Sequence, residues 1–341
     1  MNKSVYWAKC GIGAIAVMGL ALAGAQAQTI YQSETAAPGG SAHSMLVTFA
    51  KMAGREGINI QVNAGKTLTR SMLSAGQGKI HFYTGVPAFY VPMSKAVAMY
   101  KGVKAAPAAA KNIRFIFSYP AGVTHVLVFA NSGITSMKDF KGKKIFLGPP
   151  AGAATWEAKT IIKAVAGYDA DKDYQGVVLN WGEGIQAMRD KKVDVLFRPA
   201  DVGSALIQQF GLNNSFQLIT IPDAGWKNVL LQKMLEEPDY LVATVEPNTY
   251  RGQKNTKPVK VLGYYLFIGT QAKVSADVVY RATKSFWENL KEVHATAKYM
   301  EALDKKTALA AITGPLHVGA YRYYKEAGFD IPANIVPPEA K

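Results

Sequence analysis

Reactive side chains are scarce in this sequence. Its one cysteine is Cys10. Beyond that position the chain has no thiolate nucleophile, no thiolate metal ligand and no disulfide. The five histidines are His43, His81, His125, His294 and His317. No two of them stand four apart, and H-E-x-x-H is absent, which excludes the usual helical zinc site. No G-x-S-x-G elbow occurs. Ser41 and His43 lie close in "PGGSAHS", but two residues apart on a helix they point away from each other. Acidic residues are also in short supply, 24 against 39 Lys and Arg. No catalytic constellation, metal site or cofactor motif emerges.

Two partial motifs fail on spacing. "INIQVNAGKTLTR" (58–70) ends like a phosphate-binding loop, but the first glycine of such a loop would fall at Ile60. Without a glycine arc no whole loop of N–H groups wraps the phosphates, and only a strand, a small-residue turn and a helix start remain. "DADKD" (169–173) starts like a calcium loop, yet Tyr174 and Asn180 stand where its glycine and closing glutamate belong. An acidic turn is expected there.

Long apolar runs are missing too. The uncharged stretch "GIGAIAVMGLALAGA" (11–25) falls short of the roughly 20 residues of a spanning helix. It follows Lys3 and Lys9 and precedes Ala25-Gln26-Ala27, a small-x-small pattern. These features predict a secretory signal peptide over 1–27, cleaved near Ala27, and hence a periplasmic protein. "YWAKC" lacks the small residues of a lipid-anchor site. The net charge of +15 loses Lys3 and Lys9 with the leader and stays strongly basic. On an exported protein such a charge favours anionic partners, and nucleic acid is not expected among them. The lysines are scattered. Their densest group, Lys138, Lys141, Lys143 and Lys144, reads as a solvated turn or as a docking face.

What is present is alternation. At 341 residues and 49% hydrophobic content, the chain is long enough for two domains with real cores. Strand-like runs such as "TIYQSE", "INIQV" and "KIFLG" alternate with helical stretches such as "SAHSMLVTFAKMAG" and "AATWEAKTIIKAVAGY". This predicts an α/β fold with mostly parallel sheets. Past Lys273 the pattern is helical. "KAAPAAAK" (104–111) reads as a surface linker. Pro and Gly between strand-like runs mark two interlobe crossings, at 118–125 and 220–226. One lobe would then hold 28–120 plus 223–341 and the other 121–222.

Three strand-to-helix turns carry the chemistry. "APGGSAHS" (37–44), "NAGKTLT" (63–69) and "GPPAGAAT" (148–155) each place glycine ahead of a helix start. Such a turn lets backbone approach a ligand and offers free N–H groups to an anion. In open α/β sheets ligands sit beyond the carboxyl ends of strands. Lys66 or Arg198 would add charge, with a surface ion pair to Asp201 as the alternative for Arg198. Thr67 and Thr155 would add hydroxyls. Tyr83, Phe89, Trp156 and Trp181 lie near the turns, as core or as cleft aromatics.

These segments resemble a known family. "APGGSAHSMLVTFAKMA", "SGITSMKDFKGKKIFLGPPAGAATWEAKTII", "GEGIQAMRDKKVDVLF" and "GPLHVGAYRYYKEAGF" are similar to segments of the TAXI receptors of TRAP (tripartite ATP-independent periplasmic) transporters. The resemblance implies a two-lobed type II periplasmic-binding-protein fold with a hinge and an interlobe cleft. It implies capture of a small organic anion, a dicarboxylate or other carboxylate, for a TRAP permease. Matched turn by turn, it points to Gly39, Gly40, Ser41, Pro149, Gly152, Ala154 and Thr155 at the ligand. The chain departs at "NAGKTLTR", where the family usually has Gly-Ser-x-Glu-Asn, and at Lys79, where an acid is usual. A lost acid and gained bases imply a ligand other than glutamate, whose amino group wants a carboxylate partner. A solute-binding protein of an ABC importer or sensor system, and a secreted hydrolase, remain as alternatives.

Overall fold

The computed structural model describes residues 29–340. The leader and its cleavage point lie outside the described residues. Strands β1 (Ile30–Glu34), β2 (Asn59–Asn63) and β3 (Phe82–Gly85) open the chain, with helices α1 (Ser41–Gly54) and α2 (Leu68–Gly76) between them. Short helices α3 (Tyr90–Lys95) and α4 (Ala106–Ala110) lead to the 17-residue strand β4 (Ile113–Phe129). A second series follows: β5 (Lys144–Gly148), α5 (Ala153–Ala166), β6 (Gln175–Val178), α6 (Trp181–Arg189), β7 (Val195–Ala200), α7 (Ala205–Gly211) and β8 (Phe216–Leu218). Helices α8 (Asp223–Trp226) and α9 (Val229–Leu235) precede β9 (Tyr240–Val245) and the long β10 (Val259–Gln271). Helices α10 (Ala276–Glu288), α11 (Leu290–Thr296) and α12 (Val318–Glu326) close the fold.

The strands run in the order β2-β1-β3-β10-β4-β7-β5-β6, with β8 on β4 and β9 on β10. Both series repeat one plan. The second strand is outermost, then the first, then the third, and then a long antiparallel strand. Pairing is parallel inside each series. It is antiparallel wherever β4 or β10 takes part. The sheet is therefore mixed rather than mostly parallel, because the two strands that return across the molecule run against their neighbours. Each serves both halves. β4 pairs with β10 over Ile113–Val123 and with β7 over Val123–Val128. β10 pairs with β9 over Val259–Tyr264 and with β3 over Phe267–Thr270.

Segment 118–125, expected as a crossing between two strands, lies inside the single strand β4. A register shift between Tyr264 and Tyr265 falls opposite Pro120 and Gly122. Gly122 has φ +149, and a Cβ there would lie 2.3 Å from the Ala200 carbonyl oxygen. Only glycine lets the strand bend and keep its neighbour. Segment 220–226 leads into α8. Ile221 N–H donates to Lys260 O, and α8 and α9 pack on α5. Residues 104–111 are not a linker. Ala106, Ala109 and Ala110 are buried, and a Cβ on Gly76 would sit 2.4 Å from Ala109 O, so α4 lies directly on α2. The low side-chain volume that suggested a linker serves close helix packing.

Burial follows the helical period read from sequence. Met45, Leu46, Phe49 and Met52 of α1 are all buried. They join Phe82, Phe117 and Phe286 in the larger apolar cluster, which continues under α5 through Ile145 and Ile161. A second cluster gathers Leu127, Phe146, Met188, Leu196, Phe210 and Phe216 on the other face of the second series. The "DADKD" turn closes on itself, with Asp169 N–H donating to Asp173 Oδ2.

Candidate functional site

Strands β1, β2 and β5 all end at one cavity. Each is followed by a turn with a left-handed glycine, Gly39 (φ +85), Gly65 (φ +81) and Gly148 (φ +122), and then by α1, α2 or α5. A substituent at Gly148 would press on Thr155 Oγ1 at 3.0 Å and on Trp181 at 3.3 Å, so the turn is drawn tight against α5. None of the three helices has a side-chain cap at its start. Their first-turn N–H groups remain available, and the helix dipoles add positive potential there. By contrast α6 is closed by a capping box of Asn180 and Glu183.

The cavity has a volume of about 90 Å³. That is smaller than an engineered cavity of roughly 150 Å³ that accepts benzene, so a compact ligand fits. Gly40 and Ser41 of the first turn, Lys66 and Thr67 of the second, and Pro149, Gly152 and Ala154 of the third line it. Trp181 and Arg198 line it as well. The turns meet across it: Thr69 Oγ1 donates to Ala151 O at 3.0 Å. Three other sequence candidates lie outside the lining. Gly39 is exposed behind Gly40. Thr155 sits under the turn and donates its hydroxyl to Pro149 O at 2.7 Å. Tyr83 is fully buried in β3, edge-on to Phe267.

Arg198 differs from the surface ion pair considered for it. It is 4% exposed, and no carboxylate lies within ion-pair reach of it among the described residues. Its Nε is enclosed and has no hydrogen-bond partner. Its guanidinium carbon is 4.5 Å from the Trp181 ring centroid, a cation–π contact. Burial lowers its pKa to about 10, so it stays charged at neutral pH. A buried cation with an idle donor, next to a cavity ringed by helix starts, can hold an anion. Phe89 and Trp156 pack edge-on to each other at 5.7 Å, outside this lining.

Sequence reading missed two polar lining residues, Glu157 and Tyr264. Glu157 is 5% exposed and accepts the Tyr240 hydroxyl at Oε1, 2.7 Å away. Burial raises its pKa to about 7, with the Tyr240 hydrogen bond opposing. The signal for it was present. Glu157 is four residues past Ala153, on the same helical face as buried Ala158, Ile161 and Ile162. A carboxyl in a buried stripe is unusual enough to single out. Tyr264 carried no such mark, because β10 is buried almost throughout. Neighbouring Asp239 is also buried, accepts Ala88 N–H at 2.9 Å, and is raised to about 7, chiefly by burial. Among the described residues no cluster of His, Cys, Asp or Glu could hold a metal ion, and no helix is long and apolar enough to cross a membrane.

Known proteins share this architecture. The model of the NMT1-like family matches residues 35–328. A solved periplasmic transporter superposes with a TM-score of 0.53 at 14% identity, covering 89% of this chain and 94% of its own. A protein from Bordetella bronchiseptica RB50 gives 0.50 at 12% identity, covering 91% and 85%. An ABC uptake transporter substrate binding protein from Streptococcus pneumoniae, solved with bound histidine, gives 0.49 at 12% identity, covering 82% and 94%. At such identities the likeness speaks to fold alone. The fold is the two-lobed periplasmic-binding-protein fold, with mixed α/β lobes.

Proposed function

The chain belongs to the NMT1-like family, and on that premise we propose that it is an extracytoplasmic solute-binding protein. It captures a small organic anion and delivers it to a membrane permease. It is a receptor, not an enzyme. One observation carries the proposal: buried, unpaired Arg198 faces a cavity that three uncapped helix starts also face. A ligand carboxylate would accept from the first-turn N–H groups of α1, α2 and α5 and from the guanidinium. Lys66 stands at the rim with further positive charge. Ala42, Leu68, Val86 and Leu266 supply apolar walls that exclude water around the bound group. The candidates that line the cavity would touch the ligand, and Gly39 and Thr155 would shape the turns.

We infer a hinge in the two long strands, at Gly122 of β4 and near Gly263 of β10. Residues 223–262 then ride with the second lobe, since α8, α9 and β9 all attach there. Closure bends both strands and brings the α2 and α5 turns together. The segment resemblance makes a TRAP permease one partner. An ABC importer is the alternative, and the comparisons favour it over a TRAP permease.

The test is a thermal-shift screen of the protein against small carboxylates, sulfonates, amino acids and uncharged solutes. A ligand bound only by the native state raises the melting temperature. We expect a shift with at least one anion, lost in Arg198→Ala. Shifts with uncharged solutes alone would reject the anion reading. Turnover of ester or phosphate substrates would favour a hydrolase.

A further inference from the structure

Every polar side chain lining the cavity can donate a hydrogen bond or carries positive charge, except one. Ser41, Thr67, Lys66, Arg198, the Tyr264 hydroxyl and the helix starts all suit an anion, and Glu157 does not. Its carboxyl is buried and lines the same space. Among the described residues no cation lies within 4.0 Å to balance it. Its partner is the neutral hydroxyl of Tyr240. An ionised carboxylate here would repel the anion that the rest of the site is built to hold.

Resting on the anion reading above, we propose that Glu157 meets the bound anion as a neutral acid, donates a hydrogen bond to it, and so makes capture take up one proton per ligand. The proton comes from solvent, adds to the Glu157 carboxylate, and no covalent bond of the ligand changes. The hydroxyl of the acid supplies a donor where a carboxylate would supply only repulsion. The site then selects carboxylates that offer one oxygen to the Arg198 side and another to Glu157.

The surroundings fit. Tyr240 and Asp239 face Glu157 from the start of β9, and Tyr264 faces it from β10. Arg198 of β7 lies on the same cavity, and Lys66 stands at its rim. From α9 and the turn after it, Lys233 and Glu237 are exposed on the outer groove. Asp223 of α8 is exposed and paired with Lys260, and Lys144 of β5 is exposed at the far end of that strand. Asp239 is a second buried acid beside it, and a charge on Glu157 raises the Asp239 carboxyl further. Burial, opposed by the Tyr240 hydrogen bond, already raises the Glu157 carboxyl to a pKa of about 7. A bound anion moves it further in the same direction.

Calorimetric titration of the protein with succinate, pyruvate and L-glutamate, from pH 6 to 8.5 in buffers of different ionisation enthalpy, tests this. Glu157→Gln keeps the size and the acceptor for Tyr240 and imitates the neutral acid. We expect wild type to take up close to one proton per anion near pH 8, with affinity falling about tenfold per pH unit above about 7.5. Glu157→Gln should bind with little pH dependence and no proton uptake. Binding by wild type with no proton uptake at any pH would overturn the proposal without recourse to the variant. So would capture of L-glutamate alone with loss in Glu157→Gln, which would make Glu157 a carboxylate partner for an ammonium group. Failure of all three probes at every pH would strike the anion reading itself, and this inference with it.

Discussion

The Arg198 guanidinium carbon rests 4.5 Å from the centre of the Trp181 ring. Trp181 is the first residue of α6, whose start is fixed by the reciprocal Asn180–Glu183 capping box. The ring thus holds one side of the cation while its enclosed Nε keeps no protein partner. A buried charge held this way costs stability, and a bound anion would offset that cost.

Replacing Arg198 separates these two effects. Arg198→Met retains much of the volume and removes the buried charge. Its unliganded form should be more stable than wild type by about 1 kcal/mol in urea denaturation. Anion affinity should drop by about 10–100-fold, the value of a charge-assisted hydrogen bond. Unchanged affinity in calorimetry would remove Arg198 from the site.

Glu157 and Asp239 make stability depend on pH in an unusual direction. Burial raises both carboxyls to about 7 in the folded protein. The unfolded chain releases those protons near pH 4, the folded one near pH 7. Below pH 4 the two states hold them equally. As pH rises from about 4 to 7 the unfolded state alone loses protons, so these groups progressively reduce stability, by up to about 4 kcal/mol each. Glu157→Gln and Asp239→Asn should therefore be more stable than wild type at pH 8 and match it at pH 4. Denaturation midpoints across that range check the difference, and a variant that gained nothing at pH 8 would contradict it.

His125 pulls the other way. It is fully buried between Arg198 O and the Tyr250 hydroxyl, and burial lowers its pKa to about 4. Its contribution is present above about pH 6.5 and is lost as pH falls toward 4. His125→Gln should lose less stability than wild type over that window, measured by thermal melts at pH 7 and pH 4.5.

Gly122→Ala tests the bend in β4. The new Cβ would lie 2.3 Å from Ala200 O in a left-handed backbone. The strand must shift off β7, at a cost of about 3 kcal/mol. A melting temperature within a degree of wild type would show that β4 does not need this glycine.

Ala109→Leu tests the packing of α4. A solvent linker would accept leucine freely. Ala109 instead touches α2 at Gly76 and is 4% exposed, so overpacking should cost about 1–3 kcal/mol. A neutral outcome in urea denaturation would restore the linker.

The strand and helix series of both lobes was legible because each element announces its own period. α2 ends at Gly76 as its glycine suggests, and α1 buries the four apolar positions read from its spacing. The three glycine turns were legible for the same local reason. Long-range relations were not. "IRFIFSY" and "THVLVFA" read as two strands because Pro120 and Gly122 interrupt them, yet partners on both sides hold them in one strand. Alanines 106–110 looked like a linker because no sequence feature announces that Gly76 faces them. Glu157 stands apart from the glycine turn, on the buried face of α5 one helical turn later. The burial of Arg198 depends on Trp181, β4 and β10 together, which no local stretch encodes.

The sharing of β4 and β10 has a consequence for how the molecule is made and lost. Neither strand series is self-contained, and each borrows half a strand from the run that serves the other. Cutting the chain between lobes would leave two sheets with a bare edge and half their antiparallel frame missing. Folding must therefore bring residues near 120 and near 263 together before either core is complete. The cost of that long loop closure is recovered only when both cores form. The protein should therefore unfold as one cooperative unit, with a single transition in both denaturant and heat.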